Sequence, residues 1–160
     1  SKIELRENLD FIPIELYLSP NILKEVPAFL RKLKKNYDYI IIDSLPALKV
    51  DNIFLENSDK IIIPAHGNKM TLQGIISIIK EHREKIHSII FNKYINTKIN
   101  KEYYKEIKEI CKNSAIYISK PIKNNAFIAE LIEKGKTIWE SRAKKIIETQ
   151  EIFKNIVRRF

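Results

Sequence analysis

The run Tyr37-Asp38-Tyr39-Ile40-Ile41-Ile42 ends on two groups that can do chemistry, the Asp43 carboxylate and the Ser44 hydroxyl. A strand that delivers a carboxylate at its C-terminal tip can hold Mg2+, directly or through a water, as the acid of nucleotide hydrolases does. An apolar run ending in Asp is also a common helix cap or loop residue, so the residues downstream of it decide between the two. Basic side chains form a second candidate group. Lys98, Lys101, Lys105 and Lys108 fall at helical spacing, while Arg142, Lys144, Lys145, Lys154, Arg158 and Arg159 crowd the C-terminal stretch. Such a set makes non-specific, salt-sensitive contacts with nucleic-acid phosphates, or it is an ordinary solvated face. His82 and His87 have no neighbouring ligand residues and read as surface residues. Tyr103 and Tyr104 could stack on bases, but read as cover for a helix face.

Composition removes several alternatives. The chain has 160 residues, suited to one domain, and a net charge of +9 from 29 basic and 20 acidic side chains. Only three glycines occur, Gly67, Gly74 and Gly135, where average usage gives roughly 11. A phosphate-cradling loop needs clustered glycines so that backbone N–H groups approach the oxygens closely, and this chain has no cluster. One cysteine, Cys111, excludes an internal disulfide framework, a cysteine-based zinc site and a multi-cysteine iron–sulfur site. No apolar run approaches the ~20 residues that span a bilayer, and the polar start of the chain does not read as a secretory signal.

Helical periodicities alternate with apolar runs. Residues 9–14, 39–42, 60–64, 87–92 and 115–119 read as strands. Residues 20–35, 51–57, 71–83, 100–112, 125–134 and 137–160 read as helices, the first with Ser19 as N-cap. Strands flanked by helices imply an α/β fold with a parallel sheet and right-handed crossovers. The cores 40–42, 61–63 and 88–91 are mostly continuous apolar runs, the pattern of strands buried on both faces. Ligands in such folds sit beyond the carboxyl ends of the strands, at residues 43–46, 64–68, 92–94 and 120–123 here. Trp139, Ala143, Ile146, Ile147, Phe153, Ile156, Val157 and Phe160 make an amphipathic last helix. A core-packing role is preferred for it over a membrane-surface role.

The order Asp43-Ser44-Leu45-Pro46, then Ser58-Asp59-Lys60-Ile61-Ile62-Ile63-Pro64, then Met70-Thr71-Leu72-Gln73-Gly74 resembles the ParA/Soj/MinD group of deviant Walker-type ATPases, the partition ATPases most closely. Asn8-Leu9-Asp10-Phe11-Ile12-Pro13, Ile89-Ile90-Phe91-Asn92-Lys93, Lys120-Pro121-Ile122 and Gly135-Lys136-Thr137-Ile138 extend the resemblance along the chain. Leu45 departs from it, where the group usually has proline. The deviant Walker A loop and the Asp-rich switch segment have no counterpart. Gly135-Lys136-Thr137 mimics a P-loop ending, but Gly135 reads as a helix C-cap.

The resemblance implies a P-loop NTPase-like fold over residues 1–160, taken as one domain, the C-terminal part of a ParA-like ATPase domain without the P-loop strand. That strand lies beside the Walker B strand in the group, so an apolar edge is expected to stand open or be covered by dimerisation. The resemblance implies ATP and Mg2+ as cofactors, with Asp43 positioning Mg2+ or water, Ser44 supporting the same switch, and Asn92 and Pro121 holding adenine. The implied partners are a second copy, non-specific DNA through Lys98, Lys101, Lys105, Lys144, Lys145, Arg158 and Arg159, and a ParB-like centromere-binding protein. A cytoplasmic, nucleoid-associated location goes with these. This chain alone is expected to be inactive. Two other readings stay open: a MinD-like ATPase at the membrane surface, and a non-catalytic module that keeps the fold.

Overall fold

A computed structural model describes residues 2–13, 20–43 and 50–160. Two compact units divide the chain, Ser1–Ser58 and Asp59–Phe160.

In the first unit, β1 (Ile3–Arg6) and β2 (Leu9–Phe11) form an antiparallel hairpin, with Ile3 opposite Phe11 and Arg6 opposite Leu9. Asn8 turns the hairpin with a φ of 61°, a conformation that asparagine tolerates better than most residues. Helix α1 (Pro20–Leu33) begins on a proline, which loses nothing at the first helical position. Helix α2 (Val50–Asn57) comes next. Val26, Leu30 and Phe54 are the buried centre of this unit, and Leu33, Ile40, Ile42 and Ile53 pack around them. Phe29, at 40% exposure, falls off the expected α1 stripe. Ser19, expected as the N-cap of α1, lies outside the described residues.

The strand expected at residues 39–42 is not part of any ladder among the described residues. Ile40 and Ile42 pack on the core, whereas Tyr39 is 79% and Ile41 91% exposed. The alternation is that of a strand covered on one face only. A continuous apolar run signals that both faces can be buried, but it does not supply the second cover.

The second unit carries the parallel sheet. Its order is β3 (Ile61–Ala65), β4 (Ile86–Phe91), β5 (Tyr117–Ile118). Crossovers α3 (Lys69–His82) and α4 (Lys98–Ile110) join successive strands, as parallel pairing requires. Each crossover is capped by a side chain: Asn68 accepts from the Thr71 N–H, and Thr97 from the Asn100 N–H. Strand β4 is buried on both faces as expected. Strand β3 instead alternates, with Ile61, Ile63 and Ala65 buried and Ile62 43% exposed. Pro64 within it has no N–H to offer a further neighbour, which suits an edge position.

His87, read from sequence as a surface residue, is 8% exposed and stacks on Phe160 with ring centroids 4.0 Å apart. Its place on doubly covered β4 is the reason. Helix α5 (Ala126–Glu133) ends as expected at Gly135, whose φ of 63° is the left-handed turn of a helix C-terminus. The single helix expected over 137–160 is instead a short 3-10 turn, Ile138–Glu140, followed by α6 (Lys144–Val157). Thr137 and Glu140 close a capping box around the turn. The Gln150 amide then donates to the carbonyls of Ile138 (2.7 Å) and Ser141 (3.1 Å), satisfying backbone groups that a continuous helix would have paired internally. Helix α6 buries Ile146, Ile152 and Ile156, a core-packing role, and leaves Ile147 and Val157 exposed.

Candidate functional site

The carboxyl ends of β3, β4 and β5 converge on one edge of the second unit, and backbone hydrogen bonds hold their outgoing loops together. The Asn92 N–H donates to the Ala65 carbonyl at 2.8 Å. Beyond β5, Ile122 N–H donates to Phe91 (2.8 Å), Tyr94 N–H to Ile122 (2.9 Å) and Asn124 N–H to Tyr94 (3.0 Å). A parallel bridge between Tyr94 and Lys123 completes this extension. The segments that carry Asn92 and Pro121 are thereby brought together. Asn92 and Pro121 are both half-buried.

Two contacts define the Asn92 corner. Its Oδ1 accepts the Lys93 N–H at 2.8 Å, and its backbone carbonyl accepts from His66 Nδ1 at 3.3 Å. Lys93 holds a φ of 50°, rare for a residue with a side chain and common at ligand sites. Gly67, next to His66, is packed so tightly on the Asn100 side chain that a Cβ there would overlap the amide. Asn100 cannot easily move away, because its Nδ2 donates to Thr97 Oγ1 (3.1 Å) and its Oδ1 accepts the Ile95 N–H (3.4 Å). Sequence reasoning marked residues 64–68 as a strand terminus but missed His66. The signal available was a histidine directly after an edge strand. Beside this edge lies a cleft of about 240 Å³ lined by Pro121, Lys123, Asn124, Asn125, Lys145 and Glu148, among others. Lys123 and Glu148 pair across it at 3.1 Å.

Asp43 belongs to the first unit and is exposed, immediately after Ile42, which packs on that unit's core. Ser44 lies outside the described residues. Among the described residues no three His, Cys, Asp or Glu side chains gather to hold a metal. Cys111 is buried, and burial pushes its thiol up, which disfavours the reactive thiolate. Burial likewise pushes up the hydroxyl of Tyr104, which donates to the Ser119 carbonyl at 3.2 Å.

The basic residues proposed for DNA contact are all exposed: Lys98, Lys101 and Lys105 on α4, Lys144 and Lys145 on α6, and Arg158 and Arg159 after it. Three are engaged. Lys98 lies 3.9 Å from Glu102, Lys145 stands 3.7 Å above the Phe127 ring, and the Arg159 guanidinium lies 4.2 Å over Tyr117. No helix among the described residues is long and apolar enough to cross a membrane.

Asn92, His66 and Pro121 offer polar and flat groups where a base could lie. No phosphate cradle accompanies them among the described residues: Gly67 is filled by Asn100, Gly74 lies inside α3 and Gly135 ends α5.

The profile of an AAA domain family, AAA_31, matches residues 5–101. An uncharacterised protein of Methanocaldococcus jannaschii, MJECL24, is 33% identical over 137 residues, covering 71% of this chain and 52% of that protein. The sporulation initiation inhibitor protein Soj of Bacillus subtilis is 36% identical over 101 residues, covering 57% of this chain and 38% of Soj. The chain thus spans about half or less of the length of these relatives. With a parallel α/β sheet, the polar corner at its carboxyl edge and a family match over more than half its length, the chain belongs to the AAA_31 family of ParA/Soj-type P-loop ATPases.

Proposed function

We propose that this chain supplies the base-binding edge and the metal-side carboxylate of a ParA-like partition ATPase. The observation that carries this is the Asn92 corner: a polar amide and the Pro121 loop held together at the carboxyl ends of parallel strands, in a chain of this family. Asn92 and Pro121 hold adenine. Asp43 positions Mg2+ through a water, and Ser44 supports it. The Mg2+ ion supplies charge neutralisation at the phosphates. The phosphate cradle comes from residues outside this chain. Two copies sandwich the nucleotide, and the dimer binds DNA non-specifically through Lys98, Lys101, Lys105, Lys144, Lys145, Arg158 and Arg159 until a ParB-like protein triggers hydrolysis.

Asp43→Ala in the full-length protein tests the assignment. ATP turnover should fall by at least about a hundredfold, the scale of losing a positioned charged group. Turnover at the wild-type rate would reject it.

A further inference from the structure

We infer that His66 and Asn92 form a fixed acceptor–donor pair that reads the amino-bearing edge of the purine, making His66 a specificity residue for adenine over 6-oxo purines. The inference rests on the nucleotide reading above and adds a residue to it. Its basis is the polarity that two backbone groups impose. A carbonyl oxygen carries no proton, so the contact between His66 Nδ1 and the Asn92 carbonyl requires the proton on Nδ1. In the neutral ring Nε2 is then the bare acceptor. A backbone N–H can only donate, so the contact from Lys93 fixes Oδ1 of Asn92 inward and leaves its Nδ2 as a pair of donors. Neither Nε2 of His66 nor Nδ2 of Asn92 meets a partner among the described residues.

The two side chains leave adjacent strand ends, since Asn92 N–H also donates to the Ala65 carbonyl, one residue before His66. Both edges of adenine that carry the 6-amino group place a donor beside a ring-nitrogen acceptor, N1 or N7. Asn92 would donate to the ring nitrogen and His66 would accept from the amine. A 6-oxo purine presents a carbonyl at that position, so two lone pairs meet at His66 and neither is satisfied. Gly67, the residue after His66, lies close against the Asn100 side chain.

The test measures binding of ATP, inosine triphosphate and N6,N6-dimethyl-ATP to the full-length protein, with Mg2+, by competition against a fluorescent ATP analogue. Wild type should prefer ATP over both analogues by about tenfold or more. His66→Ala should shrink each preference severalfold while still binding inosine triphosphate, and His66→Gln, whose amide oxygen can accept, should recover part of it. Equal wild-type affinity for ATP and inosine triphosphate, or an unchanged preference in folded His66→Ala, would overturn this inference alone. If wild type bound none of the three, the nucleotide reading and this inference would both fall.

Discussion

Two side chains at the end of β3 and β4 have their hydrogen-bonding sense set by main-chain atoms rather than by each other. That is an inexpensive way to preorganise a polar edge, because a strand terminus already has backbone groups to spare. A similar local logic operates in the first unit. Asp10 accepts from Tyr37 Oη at 2.6 Å and pairs with Lys2 Nζ at 2.9 Å, linking the hairpin to the segment after α1. The Lys2 ammonium, and then the Tyr37 hydroxyl, hold the Asp10 carboxyl below its ordinary value. The carboxylate pushes the Tyr37 hydroxyl up in turn. A carboxyl lowered by folding contributes stability above its unfolded value, about 3.9, and loses that contribution as pH falls through the folded value. The link should therefore be intact at neutral pH and loosen below about pH 4. Tyr37→Phe should move the Asp10 titration upward toward the ordinary value, as read by NMR of the carboxyl carbon. An unmoved midpoint would show that the hydroxyl does not contribute.

Elements were legible where one physical signal sufficed. Period-3.6 apolar stripes gave α1 and α3, lysines at helical spacing accompanied α4, and the doubly buried β4 read as a mostly continuous apolar run. Three failures have separate causes. The hairpin strand β1 was missed because Ile3 and Leu5, both at least half exposed, make only a faint alternation. The 137–160 helix broke because a distant amide, Gln150, satisfies the carbonyls at the break, which no local pattern shows. Residues 39–42 carry a strand's side chains but pair with no strand among the described residues, because pairing needs a neighbour that composition cannot supply. At the site, Asn92 and Pro121 came from family resemblance, while His66 needed three dimensions. Gly67 marks how tightly the β3–α3 turn meets α4. Gly67→Ala should cost about 1–3 kcal/mol in urea unfolding, since Asn100 must give up its two hydrogen bonds to make room. Adding Asn100→Ala should cost less than the sum of the single changes. Strict additivity would place the strain elsewhere.

At the scale of the molecule, the chain carries +9, and no Lys or Arg among the described residues is buried. If the proposed DNA role holds, log affinity falls linearly with log salt, with a slope of about −0.9 per phosphate neutralised. Gel-shift titrations of the ATP-loaded full-length protein should show it, and Lys101→Ala or Lys105→Ala should each reduce the slope by about 1. A flat salt dependence would leave the basic faces as solvated surface. The exposed side of residues 39–42 has a different consequence, concerned with lifetime. Tyr39 at 79% and Ile41 at 91% exposure lie in a segment of strong strand formers without proline. Chaperones and proteases act on such bare apolar segments. A partner surface laid over Ile41 would therefore also shield the polypeptide from them, and its abundance in a cell would then report on that cover.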